Sequence, residues 1–154
     1  MNAILNNTPG PQDFYRVLHC LLIDEAHTHT LYQSCLKLAP RLEPHATECF
    51  VQAAGEDEKH AGALRLVLDK LGRDVPAPTG NALARAVGDS FSASLMLLCR
   101  LERESVRRYA WLCRHSMEHD YSLFDLAYRN MQDNLLHLRF VTDTLGELTP
   151  GVTR

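Results

Sequence analysis

The stretch Glu56-Asp57-Glu58-Lys59-His60 decides how this chain folds. Asp57 and His60 are three residues apart, so on a helix both side chains leave one face and can ligate one metal ion. They interrupt an otherwise apolar stripe of Cys49, Ala53, Asp57, His60, Leu64, Val67 and Leu71, whose steps of three and four predict a helix over about 45–71. Pro44 suits its first turn, and Gly72 followed by Pro76 forms a conventional stop.

Working outward, three more stripes have the same period. Phe14, Leu18, Leu21, Glu25, Thr28, Tyr32 and Cys35 predict a helix over about 13–38, ended by Pro40. Phe91, Leu95, Leu98, Glu102, Val106, Tyr109 and Leu112 predict a third over about 90–115, capped by Asp89 or Ser90. Leu123, Leu126, Asn130, Asn134, His137, Val141 and Leu145 place a fourth over about 120–148, stopped by Thr149-Pro150-Gly151. Residues 1–12 and 149–154 are expected to be tails around a single bundle domain. Residues 73–89, with two prolines and two glycines, are long for a connection inside a compact domain. A helix of about 27 residues is ~40 Å long, so this segment can run the length of a bundle as a crossover.

Each stripe has its polar break about three to four turns in: Glu25, Asp57 with His60, Glu102, and Asn134 with His137. In an antiparallel bundle of near-equal helices these breaks converge on one level. Burying so many polar groups together is expensive unless they pair or bind a cation. Carboxylate and imidazole donors suit a hard or borderline metal. Each residue also has a plainer reading. A lone His137 on an apolar face is most often a hydrogen-bonded core histidine. Glu102 lies in Glu102-Arg103-Glu104, where a small change of helix phase would substitute Glu104. Glu56 and Glu58 are expected to face solvent beside Lys59 or Arg65, and Tyr32 and Tyr109 to pack and hydrogen-bond. The coincidence of six positions at one height favours the metal.

The bulk properties narrow the class. The 154 residues suffice for one domain with a substantial core, and a net charge of −3 with mixed signs argues against nucleic acid as a partner. His19, Asp24 and Glu25 break the longest apolar run, so no membrane span is expected, and no signal peptide is evident. Five cysteines without a C-x-x-C motif are expected to be buried thiols in a reducing cytoplasm.

With these residues in view, the chain resembles the bacterioferritin and rubrerythrin branch of the ferritin-like superfamily over about residues 14–148. Glu25 followed by Tyr32 is similar to the family's first helix, and Asp57-Glu58-Lys59-His60-Ala61 to the E-x-x-H-A of its second. Leu101-Glu102 is similar to the third-helix ligand region, and the run from His119-Asp120-Tyr121 through Asp133 and His137 to Leu145 resembles the fourth helix. The resemblance implies an all-α ferritin-like four-helix bundle with a long crossover between the second and third helices. It also implies a metal site of Glu25, Asp57, His60, Glu102, Asn134 and His137, holding one or two ions of iron or another divalent metal.

Three departures shape that expectation. Asp57 is one methylene shorter than the family's Glu, Asn134 is a neutral amide where the family has an acid, and Glu58 replaces the haem-ligating Met, so no haem is expected. Three carboxylates remain, which favours one ion near Glu25, Asp57 and His60 over two. The expected function is a ferritin-like metal (iron) binding protein that oxidises Fe(II) with O2 or peroxide, with no catalytic residues beyond the ligands. The alternative is a degenerate bundle serving as a structural or interaction module, its polar layer a hydrogen-bond network. A phosphotransfer histidine at His60 is the weakest reading, since it needs an exposed ring. The resemblance further implies a homo-oligomer, a dimer or a cage, with no nucleic-acid or membrane partner.

Overall fold

The computed structural model describes residues 9–39, 42–73, 75 and 90–148, which form four helices. They are α1 (Pro11–Leu38), α2 (Pro44–Lys70), α3 (Phe91–Ser116) and α4 (Tyr121–Leu148).

Local chemistry sets the helix ends. Pro11 and Pro44 occupy first turns, where a missing N–H costs nothing. The Ser90 hydroxyl accepts from Ala93 N at 3.3 Å to cap α3, and Asp120 Oδ1 accepts from Leu123 N at 3.0 Å at the start of α4. Gly72 closes α2 at φ +65°. There its N–H bonds to Asp69 O at 2.9 Å while Arg73 N–H reaches back to Leu68 O at 3.3 Å. This is a Schellman stop, and it needs the left-handed backbone that glycine adopts without strain.

Contacts along the bundle give its topology. Tyr32 of α1 reaches Glu102 of α3 while Tyr109 of α3 reaches Glu25 of α1, so these two helices run antiparallel. Phe50 against Phe140 and His60 against Asp133 make α2 and α4 antiparallel as well. The short α1–α2 and α3–α4 connections then leave α2 and α3 parallel, the end of one at the opposite pole from the start of the other. The crossover expected between them, residues 73–89, lies outside the described residues apart from Arg73 and Val75. Among the described residues no helix is long and apolar enough to cross a membrane.

The apolar core is split in two. At one pole Leu31, Tyr32, Cys35, Phe50, Ala53, Leu95, Leu98 and Val141 pack together. At the other, Leu18, Leu21, Leu22, Leu64, Leu68, Tyr109, Leu112 and Ala127 do the same. A polar layer lies between these dry clusters, so its groups are screened from water above and below. The cysteines differ from expectation. All five are free thiols but only Cys35 is buried; Cys20, Cys99 and Cys113, and Cys49 at the start of its stripe, are partly exposed.

Candidate metal centre

The helices bring all six polar positions into one layer. Glu25, Asp57, Glu102 and Asn134 are completely buried, and His60 and His137 keep only 5% of their surface. Such a ring does not suit phosphotransfer at His60. Among the described residues, two groups of three can place their donor atoms within 4.8 Å of one another: Glu25, Asp57 and His60, and Asp57, Glu102 and His137. Asp57 belongs to both, so its shorter side chain still reaches the middle of the layer.

Both histidines are held the same way. His137 Nε2 donates to Glu56 Oε2 at 2.7 Å, while its Nδ1 faces Asp57 and Glu102, each 3.4 Å away. His60 Nε2 contacts Asp133 Oδ2 at 3.1 Å and its Nδ1 contacts Glu25 Oε2 at 3.3 Å. An outer carboxylate that grips the far nitrogen fixes ring orientation and raises the basicity of the near one, as around metal-bound histidines. Sequence reasoning missed both grips. Glu56, expected in solvent beside Lys59 or Arg65, instead lies half-buried and also accepts from Gln52 Nε2 at 2.8 Å. Asp133 carried no expected role. Each residue immediately precedes a layer residue, but only the fit of α2 against α4 turns it toward the opposing histidine.

Tyrosines hold the outer glutamates. Tyr32 donates to Glu102 Oε1 at 2.7 Å, and Tyr109 donates to Glu25 Oε1 at 2.8 Å. Asn134 uses its donor end, with Nδ2 on Glu25 Oε1 at 3.1 Å. Behind Glu25, the buried Asp24 pairs with Arg108. His29, one turn along α1 from Glu25, faces elsewhere and meets Ala54 O at 2.7 Å.

The electrostatics follow from this crowding. Burial pushes the Asp57 carboxyl well above the usual range; the His137 ring opposes the shift and the Glu102 and Glu25 charges add to it. Glu102 is raised by burial against the pull of His137. Burial alone would lower His137, but Asp57 and Glu102 outweigh it and hold the ring up at about 11. His60 is raised in the same way, burial being overcome by Glu25 and Asp133. Unmetallated, the layer keeps its negative charge in check with bound protons.

Of the six buried side-chain polar atoms without a hydrogen-bond partner among the described residues, five belong to this layer: both Asp57 oxygens, Glu102 Oε2, Asn134 Oδ1 and His137 Nδ1. His137 Nδ1 has ion-pair neighbours at 3.4 Å, but none aligned for a hydrogen bond. Orphan atoms of this kind are costly in a dry core. Their chemistry, carboxylate oxygen, amide oxygen and imidazole nitrogen, fits a divalent cation such as Fe(II), Mn(II) or Zn(II). Between α2 and α4, a cleft of about 180 Å³ reaches His137 and Glu56, and another of about 360 Å³ reaches His60 and Asp133.

No known protein family and no curated protein matches the chain by sequence. In structure it is similar to a dodecameric thioferritin, the bacterioferritin-related protein from Bacteroides fragilis. The likeness has a TM-score of 0.73 at 18% identity and covers 94% of this chain and 91% of the other.

Proposed function

We propose that this chain, an all-α bundle of ferritin-like fold, binds divalent metal, iron among the candidates, in its mid-bundle layer. Glu25, Asp57, His60, Glu102, Asn134 and His137 are the residues available to hold it. One observation carries the reading: five partnerless buried donor atoms converge between two dry cores, with both histidines pre-aimed by outer carboxylates. The test is thermal unfolding with and without Fe(II) or Mn(II) under anaerobic conditions. At a free metal concentration 100 times Kd, binding to the folded state alone adds ~2.7 kcal/mol. An unchanged melting temperature over all accessible concentrations contradicts the proposal.

Oxidation of Fe(II) is the finer form of this reading. The residues of the layer would hold the iron, and each Fe(II) oxidised to Fe(III) would supply one electron, so that O2 taken with two protons to hydrogen peroxide consumes two Fe(II). Oxygen uptake per iron added therefore tests it directly.

Two solution properties follow. Glu56→Gln leaves the carboxamide oxygen to accept from His137 but removes the charge that makes the ring a strong donor. Metal affinity is expected to fall by roughly 10–100-fold, as for other outer-shell partners. Metal uptake also displaces a proton, because Asp57 and Glu102 outweigh burial and hold the His137 ring up at about 11. Affinity therefore rises with pH, by roughly tenfold per unit for each proton displaced. Co(II) affinities in buffers at pH 6 and pH 8 measure the slope, and a flat profile contradicts it.

The hydrogen-bonded state of Glu25 favours a second reading, in which the layer is a proton-filled network inside a structural or interaction module. It leaves the two Asp57 oxygens unexplained. We further propose that the chain is cytoplasmic and self-associates, as the similar thioferritin does in forming a dodecamer. Val51, Leu66 and Leu136, each more than half exposed on α2 and α4, offer apolar contact area. Light scattering behind a sizing column tests this, and a mass of one chain contradicts it.

A further inference from the structure

The two halves of the layer are not equivalent, and the consequence rests on the metal-binding proposal above. In the half made by Glu25, Asp57 and His60, most donor atoms already have partners. Glu25 Oε1 accepts from both Tyr109, at 2.8 Å, and Asn134 Nδ2, at 3.1 Å. Its Oε2 meets His60 Nδ1 at 3.3 Å, and the other nitrogen of that ring meets Asp133 at 3.1 Å. Asn130 Nδ2 donates to the Tyr109 oxygen at 3.1 Å, which leaves the Tyr109 hydrogen directed at Glu25. A cation entering this half must separate His60 from Glu25 before either can ligate it.

The opposite half is open in the chemical sense. Both oxygens of Asp57, Oε2 of Glu102 and Nδ1 of His137 are buried without an aligned hydrogen bond, although that nitrogen lies 3.4 Å from Asp57 and from Glu102, and Tyr32 engages only Oε1 of Glu102. Three carboxylate oxygens thus come together with one imidazole nitrogen, which becomes a ligand once its proton leaves. Two carboxylates also neutralise one divalent ion, whereas a second ion would find only Glu25 as a further charge in the buried layer. Asn134 adds none. It is neutral, and its N–H end is spent on Glu25.

We propose that the layer takes one divalent cation, in the half formed by Asp57, Glu102 and His137. Asn134 is the specificity-determining residue that closes the other half, by tying Glu25 into the network with Tyr109 and contributing no charge. The sequence alone favoured the reverse placement, near Glu25 and His60, because it shows that Asn134 is neutral but not where its amide points.

Anaerobic Co(II) titration of metal-stripped wild type, His60→Ala and His137→Ala, read by visible absorption and by bound metal after desalting, tests the placement. The expected result is one Co(II) per wild-type chain, with His137→Ala weakening affinity at least ~10-fold more than His60→Ala. The reverse order, or two equivalents of similar affinity in wild type, overturns the inference while leaving metal binding intact. No Co(II) bound by wild type overturns metal binding itself and the inference with it. Should His137→Ala fail to fold, anomalous diffraction from Co(II)-soaked wild-type crystals decides. A peak among Asp57, Glu102 and His137 supports the assignment, and a peak beside Glu25 and His60 overturns it.

Discussion

Replacing Asn134 by Glu is expected to raise the metal capacity of the layer from one divalent ion per chain to two. The wild-type amide does two things at a fully buried position: it holds Glu25 Oε1 at 3.1 Å and adds no negative charge. A carboxylate there cannot donate to Glu25, so that hydrogen bond is lost, and the two like charges repel unless a cation or proton lies between them. Four carboxylates then match the charge of two divalent ions. The same change should weaken the metal-stripped protein, since each buried ion without compensation costs several kcal/mol. Metal-stripped Asn134→Glu is thus expected to melt well below wild type and to recover most of the difference on loading. Bound metal after desalting and melting curves with and without metal read both effects. A folded variant that still takes one ion would show that the Asn134 amide is not what limits occupancy.

The largest effect on stability alone is expected from Phe50→Ala. Phe50 is fully buried and packs edge-on against Tyr32, with ring centroids 5.7 Å apart, and Phe140, at 4.8 Å. It also contacts Phe91, at 6.1 Å, so this one ring from α2 touches all three other helices. Truncating a buried Phe costs ~3–5 kcal/mol in lost transfer energy and residual cavity. For a chain of this size that is on the order of 10 °C in melting temperature. Urea unfolding should show the midpoint move with little change in slope. A loss below about 1 kcal/mol would mean that this end of the bundle is loosely packed, contrary to the interlocked rings. Because Tyr32 holds Glu102 and leans on Phe50, metal affinity should fall in parallel.

The fold class was legible because four stripes of helical period each broke at the same depth, a pattern that only a bundle with a shared polar layer accommodates. Periodicity also put Glu25, Asp57, His60, Glu102, Asn134 and His137 on inward faces, since a period of 3.6 is enough to assign a face. It could not assign rotation within that face. Glu56 and Asp133 sit one residue off the stripe, about 100° around the helix, and whether such a position meets water or a neighbour depends on how closely the next helix packs. Here α2 and α4 stand far enough apart for Glu56 and Asp133 to turn inward and bind the histidines across the gap. Side-chain amide orientation was equally hidden. Asn134 offers an acceptor and a donor, and the choice between them follows from Glu25 on α1, 109 residues away in sequence. The cysteines erred for a related reason: apolar neighbours in sequence place a residue on a helix, but not on its buried side.

The central claim is that a divalent cation belongs among these buried donors. Its most direct test is metal analysis of the protein purified without chelator, followed by anaerobic Fe(II) titration and exposure to O2. The expected result is one tightly held ion per chain and saturation of the titration near one equivalent. Absence of bound metal as purified, together with no uptake of Fe(II) at any loading, would contradict the account and leave the layer as a hydrogen-bond network.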